Sequence, residues 1–308
     1  MRTTSGLRLG ISLPQNFPEQ RLDLDYLRNF IRRAEEIGFD DGWLTENILS
    51  ANFQLEPVTY LSYLAAVTER IRLGVAIVIL NTRNPVQLAK ALASVDQLSN
   101  GRFVLGVGIG PGTKNYAAFG LPEERRVARF EEAIQVLKAL WTEESATVAG
   151  AFWKLEAARM LPKPVQKPHI PIIFGGHAEA ALRRAVRLGD GWMAAGSIST
   201  EQSIESLKQI RELLKEAGRD EAKFMLSKRL YLAVDDDEAK ARAKLSEGLS
   251  YQYGARDYQT MGVAGAPGRI VEVIGKIREA GARHLVLNVL YDHREQMEAV
   301  AARVVPQL

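Results

Sequence analysis

The sequence predicts a (β/α)8 barrel of the TIM type, and three observations carry that expectation. Eight short segments rich in Val, Ile and Leu alternate with amphipathic helical segments along 308 residues, a length ordinary for one such barrel. A phrase of helix, glycine and strand recurs, as AEEIG-FDDGWL, AVRLG-DGWMAA, KEAG-RDEAKFML and IREAG-ARHLVLNVL. Repetition of that phrase marks helices alternating with parallel strands. Residues 72–112 form the clearest unit: an apolar strand, a helix opened by Pro85 and ended by Asn100-Gly101, then a second apolar strand. A crossover helix between buried strands implies parallel pairing. The whole chain, 1–308, is expected to form this one domain.

In order, strands are expected near Leu7–Leu13, Asp41–Thr45, Arg72–Leu80, Arg102–Ile109, Pro171–Phe174, Gly191–Ala195, Lys223–Val234 and His284–Val289. The helices between them show apolar faces at three- and four-residue spacing. Leu27, Phe30, Ile31 and Ala34 line the first, and Phe130, Ala133, Ile134 and Leu137 line the fourth. Gly38, Gly189, Gly218 and Gly281 fit left-handed helix caps, and Asp235 with Glu238 fits a capping box before the seventh helix. Three connections are long. Residues 110–122 follow the fourth strand, and an insertion around 143–170 holds a small hairpin turning at Gly150. Residues 248–266 form a tyrosine- and glycine-rich, lid-like loop. Long insertions in a barrel tend to become pocket walls and lids.

Composition narrows the function. The chain is 46% apolar and 25% charged, with 40 basic and 37 acidic residues and no cysteine. Absence of cysteine excludes disulfides, thiolate metal sites and a cysteine nucleophile. The charges are well mixed, without a basic block, which argues against nucleic acid. No run of about 18 apolar residues suggests a membrane span, and the first residues lack an apolar signal core. A cytoplasmic location is the expectation. The four histidines include no H-x-x-x-H pair, so no metal site is expected.

Chemistry in a barrel belongs at the C-terminal ends of the strands. Those ends read Trp43–Asn47, Leu80–Asn84, Gly108–Asn115, Phe174–His177 and Trp192–Ser197. They show no Ser/His/Asp arrangement and no carboxylate cluster, but much glycine and apolar wall. Such a site suits a cofactor that brings its own chemistry. Gly106, Gly108 and Gly110 share one face of the fourth strand, which implies either close packing between elements or a ligand lying on the strand end. A Rossmann fingerprint is excluded, because Pro111 stands where the third glycine is needed and no helix follows directly. Gly175-Gly176 before a helix offers backbone N–H groups to an anion, with His177 as an additional donor; a tight turn capped by an exposed histidine is the alternative. Alternation in MLSKRLYLAV turns Arg229 inward, toward an anionic substrate or cofactor phosphate, or into an ion pair at the barrel base.

Taken together, LGVGIG after DQLSNGR, RNPVQLAKALASVDQLS before it, and LPKPVQKPHIPIIFGGHAEAALRRAVRLGDGW resemble the bacterial luciferase-like flavin-dependent oxidoreductases. The resemblance runs over nearly the whole chain. It implies a barrel binding reduced FMN or the deazaflavin coenzyme F-420 at its mouth as a dissociable cosubstrate. The activity would be that of a monooxygenase or a hydride-transferring reductase or dehydrogenase on a small organic substrate. It implies a homodimer or higher homo-oligomer, and a separate flavin or F-420 reductase as supplier. By position, it places the cofactor ring on a non-prolyl cis peptide at Ala76-Ile77, beside Gly106, Gly108 and Gly110, with Lys114 in the following loop. The phosphate would lie on Gly175, Gly176 and His177. Glu46-Asn47 matches an acidic–His pair that is catalytic in relatives, with Asn47 in place of the histidine. An amide cannot carry a proton at neutral pH, so Asn47 is expected to orient ring or substrate, with Glu46 as the nearby titratable group. Trp43, Arg229, Tyr251 and Tyr253 are the substrate candidates. A barrel hydrolase or isomerase acting on a phosphate-bearing substrate, and a non-catalytic flavin-binding protein, are the competing readings.

Overall fold

The computed structural model describes residues 6–110, 116–255 and 257–308. The chain opens with β1 (Arg8–Ser12), α1 (Leu24–Ile37), β2 (Asp41–Leu44), α2 (Pro57–Val67) and β3 (Arg72–Ile79). It continues through α3 (Pro85–Leu98), β4 (Phe103–Gly108) and α4 (Arg126–Thr142) to a hairpin of β5 (Ala146–Ala149) and β6 (Lys154–Ala158). Then come β7 (Ile172–Gly175), α5 (Glu179–Leu188), β8 (Gly191–Ala194), α6 (Thr200–Glu216) and β9 (Met225–Val234). The last elements are α7 (Glu238–Tyr253), β10 (Val263–Gly265), α8 (Pro267–Glu279), β11 (His284–Asn288) and α9 (His293–Ala299).

Strands β1, β2, β3, β4, β7, β8, β9 and β11 pair in parallel, each with its neighbours, and the β8–β9 pairing closes the ring. This is the expected eight-stranded barrel. Strand β10 adds to the far end of β9 outside the ring, and β5–β6 is the antiparallel hairpin foreseen around Gly150. Two cores hold the fold. Between barrel and helices lie Phe30, Ile31, Leu61, Leu92, Leu137, Ile210 and Ile274, all within the outer cluster. Inside the barrel sit Trp43, Ala76, Val104, Ile173, Met193 and Val286, with Ile77 and Met225 against them.

Three local expectations change. Gly38, Gly218 and Gly281 do adopt positive φ, but Gly189 is extended (φ −100°). Its glycine is needed for closeness: a Cβ there would lie 2.6 Å from the Phe174 ring. Helix α7 is capped by Asp237, whose side chain accepts from the Lys240 N–H, and not by Asp235. The segment 248–266 begins as helix, because buried Leu245 and Leu249 continue the apolar stripe of α7 to Tyr253; it ends in β10.

The N-terminal end of the barrel is closed by a buried polar network. Asp41 lies 3.1 Å from Arg8, 3.7 Å from Arg72 and 3.3 Å from the His284 ring. The Ser227 hydroxyl is 2.7 Å from His284 Nδ1. Burial alone would raise the Asp41 carboxyl, but His284, Arg72 and Arg8 outweigh it and hold it below its ordinary value. Serine, histidine and aspartate thus form one chain of contacts in space, yet Ser227 is fully buried and at the face where barrels keep stability and not chemistry.

Candidate active site

At the opposite end, the strand termini surround a cleft of about 790 Å³ with mostly apolar walls. Its lining includes Glu46 and Asn47 from the end of β2, Ala76 and Ile77 from β3, and Gly108 and Gly110 from β4 and its exit. Gly175, Gly176 and His177 come from the end of β7, Arg229 from β9 and Tyr253 from the last turn of α7. Residues far apart in sequence thus meet because the parallel strands all point the same way and Tyr253 reaches the same end from α7.

The glycines of β4 serve β3. A Cβ on Gly106 would lie 2.3 Å from the Val75 carbonyl oxygen, so Gly106 lets the two backbones close and sits outside the cleft. A Cβ on Gly108 would lie 2.2 Å from Ile77 Cδ1, and one on Gly175 would lie 3.0 Å from Ile77 Cγ2. The Ile77 side chain therefore rests over two glycines and lines the cleft. The Ala76-Ile77 peptide is cis, as the resemblance implied, and the β3–β4 register slips at this point, between Val75 and Val78. The side chain of Arg229, nearly buried, donates to the Ala76 carbonyl.

Glu46 is immobilised. One carboxylate oxygen accepts from the Ile79 N–H at 2.8 Å, and the other accepts from Arg83 Nε at 3.0 Å and from its Nη2. Arg83 also bonds Glu56 at 2.7 Å. Burial raises the Glu46 carboxyl above its ordinary value, against the opposing pull of Arg83 and the Ile79 amide. With both oxygens engaged, this side chain anchors the end of β3 to that of β2. Asn47 is exposed at the cleft rim.

The β7 end brings the candidate anion-binding residues Gly175, Gly176 and His177 to the cleft. Gly176 takes φ +109°, a backbone glycine alone adopts easily. The N-cap of helix α5 is Ala178, which supplies no side-chain cap, and Ala178, Ala180 and Ala181 of this first turn line the cleft. Arg126 and Arg184 also line the cleft; Arg184 is held 2.9 Å from Glu131. Phe130 and Phe174, paired edge to face with centroids 5.6 Å apart, wall the middle. A helix start without a side-chain cap, opening on an apolar trough that two arginines also line, has the chemistry to take a flat ring carrying a phosphate.

Two substrate candidates stand outside the main cleft. Trp43 is barrel core: Cβ atoms on Gly10 and Gly74 would fall 2.8 and 2.5 Å from its ring, so the indole is sandwiched between β1 and β3. Tyr251 does not line the cleft; its carbonyl accepts from Asn52 Nδ2 at 3.1 Å. Lys114 lies outside the described residues. The sequence reading missed Arg126, Phe130, Arg184, Gln252 and the Lys228 side chain. Lys228 is buried and donates to the carbonyls of Ala195 and Ile198 at 2.6 and 3.1 Å, tying down the loop that brings Ala195 and Ser197 to the cleft. Burial, and then Arg229, push its amine down to about 7. Phe130 and Lys228 carried a signal, an aromatic and a charge at otherwise apolar positions, but only the fold shows what they reach. Among the described residues no group of three or more His, Asp or Glu is placed to hold a metal ion. No helix among them is long and apolar enough to cross a membrane.

The architecture is a closed parallel β/α barrel with an apolar cleft at the C-terminal ends of its strands. The chain belongs to the luciferase-like monooxygenase family, whose profile it matches over residues 7–306. An FMNH2-dependent dimethylsulfone monooxygenase of Pseudomonas putida is 31% identical over 239 residues, covering 74% of this chain and 64% of that one. An F420-dependent glucose-6-phosphate dehydrogenase of Kineococcus radiotolerans is 31% identical over 224 residues, covering 70% of this chain and 66% of its own. The chain thus spans just under two thirds of the length of these curated relatives. Among solved structures, monooxygenase RslO1 from Streptomyces bottropensis superposes with a TM-score of 0.83 at 25% identity, over 97% of this chain and 99% of that one.

Proposed function

We propose that the protein is an oxidoreductase that binds a reduced flavin-type cofactor, FMN or coenzyme F-420, and uses it on a small organic substrate. The observation that carries this reading is the cleft itself: an apolar trough lined by Ile77, by a helix start without a side-chain cap and by two arginines. Family membership supports it, as do relatives named for FMNH2 and for F420. When bound, the cofactor supplies the redox chemistry. The chain's residues position it. Ile77 backs the ring, and Gly176, the α5 start, Arg126 and Arg184 hold the phosphate. Phe130 and Phe174 exclude water, and the Arg229 guanidinium offsets charge near the Ala76 end of the ring. Asn47 offers a donor and an acceptor at the rim but carries no proton, so the reaction proceeds without the histidine that relatives place there. A separate reductase regenerates the dissociable cofactor. A hydrolase or isomerase is disfavoured because Glu46, the buried carboxylate at the cleft, is locked by Arg83. Fluorescence titration of the protein with FMN and F-420, each oxidised and reduced, tests the proposal. Saturable binding is expected, tighter for the reduced form of one of them; no saturable binding of either in either state overturns it.

A further inference from the structure

Adjoining the main cleft is a second, smaller cavity of about 30 Å³; Thr45, Arg229 and Gln252 line both. Its other walls are the ends of β1 and β11, with Gln15, Asn16, Trp43 and His293. That space is enough for one or two atoms the size of water, and too small for a ring. Three buried polar atoms of its wall residues have no hydrogen-bond partner: Asn16 Oδ1, Trp43 Nε1 and Gln252 Oε1. The Trp43 side chain is 2% exposed. Buried polar atoms are nearly always paired, and one left unpaired costs about 1–3 kcal/mol. Three such atoms around one small cavity, on three separate elements, point to an occupant that satisfies them.

We propose that this cavity is a polar subsite that takes a hydroxyl group of the substrate while the substrate's apolar body lies in the main cleft. This rests on the redox reading of that cleft and adds the substrate class: an uncharged, mainly apolar molecule bearing an alcohol. A hydroxyl both donates and accepts, so it meets an indole N–H donor and amide oxygens together. It also matches the two amides whichever way their oxygen and nitrogen are turned. A methyl group of the same size leaves all three atoms unpaired. A carboxylate brings only acceptors, so it pairs with both amides only if each turns its nitrogen toward the cavity.

The test uses benzyl alcohol, toluene and benzoate as probes, with affinities measured by ligand-observed NMR on the whole protein, with and without saturating reduced FMN or F-420. Benzyl alcohol is expected to bind about tenfold more tightly than toluene, the equivalent of about 1.4 kcal/mol. Trp43→Phe and Gln252→Met should each bring that ratio below about threefold while leaving toluene unchanged. Gln252 sits at the end of α7, so its variant remains informative if the Trp43 variant fails to fold. Equal binding of alcohol and toluene, or a ratio untouched by either substitution, overturns the proposal and leaves a solvent-filled cavity. Preference for benzoate that survives both variants and is lost in Arg229→Gln also overturns it, in favour of an anion site on Arg229. The cofactor titration reports separately: an intact alcohol preference without cofactor binding would sink the flavin reading and keep the subsite.

Discussion

Asn47 and Glu46 adjoin in sequence and divide sharply in the fold. Glu46 is enclosed and bonded through both oxygens, whereas Asn47 stands exposed at the rim. A hydrogen bond from a neutral side chain is worth about 1 kcal/mol, roughly a fivefold effect on affinity. Asn47→Ala should therefore raise KM about fivefold and leave kcat within a factor of about two. A fall in kcat of about 100-fold at constant KM would place Asn47 in the transition state instead. Were Glu46 the proton carrier, Glu46→Gln would erase the acid limb of the kcat profile; the locked geometry predicts that the limb stays. A second residue-scale prediction concerns Gly108, where an added Cβ meets Ile77 Cδ1 at 2.2 Å. Gly108→Ala should push Ile77 into the ring's place and weaken cofactor binding about tenfold, near 1.4 kcal/mol. Ile77→Ala in the same chain removes the obstructing atom and should recover part of the loss. Normal binding by the single Gly108→Ala protein would mean that Ile77 is not the platform.

At the scale of elements, the base of the barrel joins β1, β2, β3, β9 and β11 through Asp41 and its partners. Removing one member of a buried ion cluster leaves the others unpaired, which typically destabilises by about 3–5 kcal/mol. Asp41→Asn should lose on that order in urea unfolding. Its pH dependence has a definite sign. The folded-state pKa of Asp41 is depressed, so its contribution is present above the unfolded value near 3.9 and fades as pH falls through the lower folded value. Urea midpoints of the parent chain should thus drop in that acid window, and those of Asp41→Asn should drop less. Parallel curves would mean that Asp41 is not ionised by its partners. This network was illegible in the sequence. Its residues carry no local pattern, and register alone sets Ser227 opposite His284 and brings Asp41 beneath them. The strands themselves were legible, because burial on both faces writes continuous Val, Ile and Leu runs. Helix α7 was partly misread for a related reason: GLSYQY looks like loop by composition, while Leu249 completes a stripe that only packing makes visible.

For the whole molecule, the same distinction separates the cleft's parts. Strand ends are fixed by the fold class, so Glu46, Ile77, Gly108, Gly176 and Arg229 could be named from sequence. Arg126, Arg184 and Gln252 arrive from helices whose rotation about their axes no periodicity specifies to one residue. Those arrivals make cleft occupancy a property of the assembled barrel, and a ligand there should stabilise all of it. A ligand binding only the folded state adds about 2.7 kcal/mol at roughly 100 times its Kd. For a chain of this size that corresponds to a rise in Tm of roughly 4 °C. FMN or F-420, whichever binds, should produce such a rise. The phosphate end can then be isolated. Gly176→Asp is a poor probe, since its φ of +109° strains any side chain. Arg126→Gln changes the charge at the cleft without touching that turn. For a phosphate held there, Arg126→Gln should shrink the shift given by FMN and leave the smaller shift given by riboflavin, which has the same ring and no phosphate, unaltered. Equal losses for both ligands would mean that Arg126 shapes the cleft generally, and that the start of α5 is not where the phosphate lies.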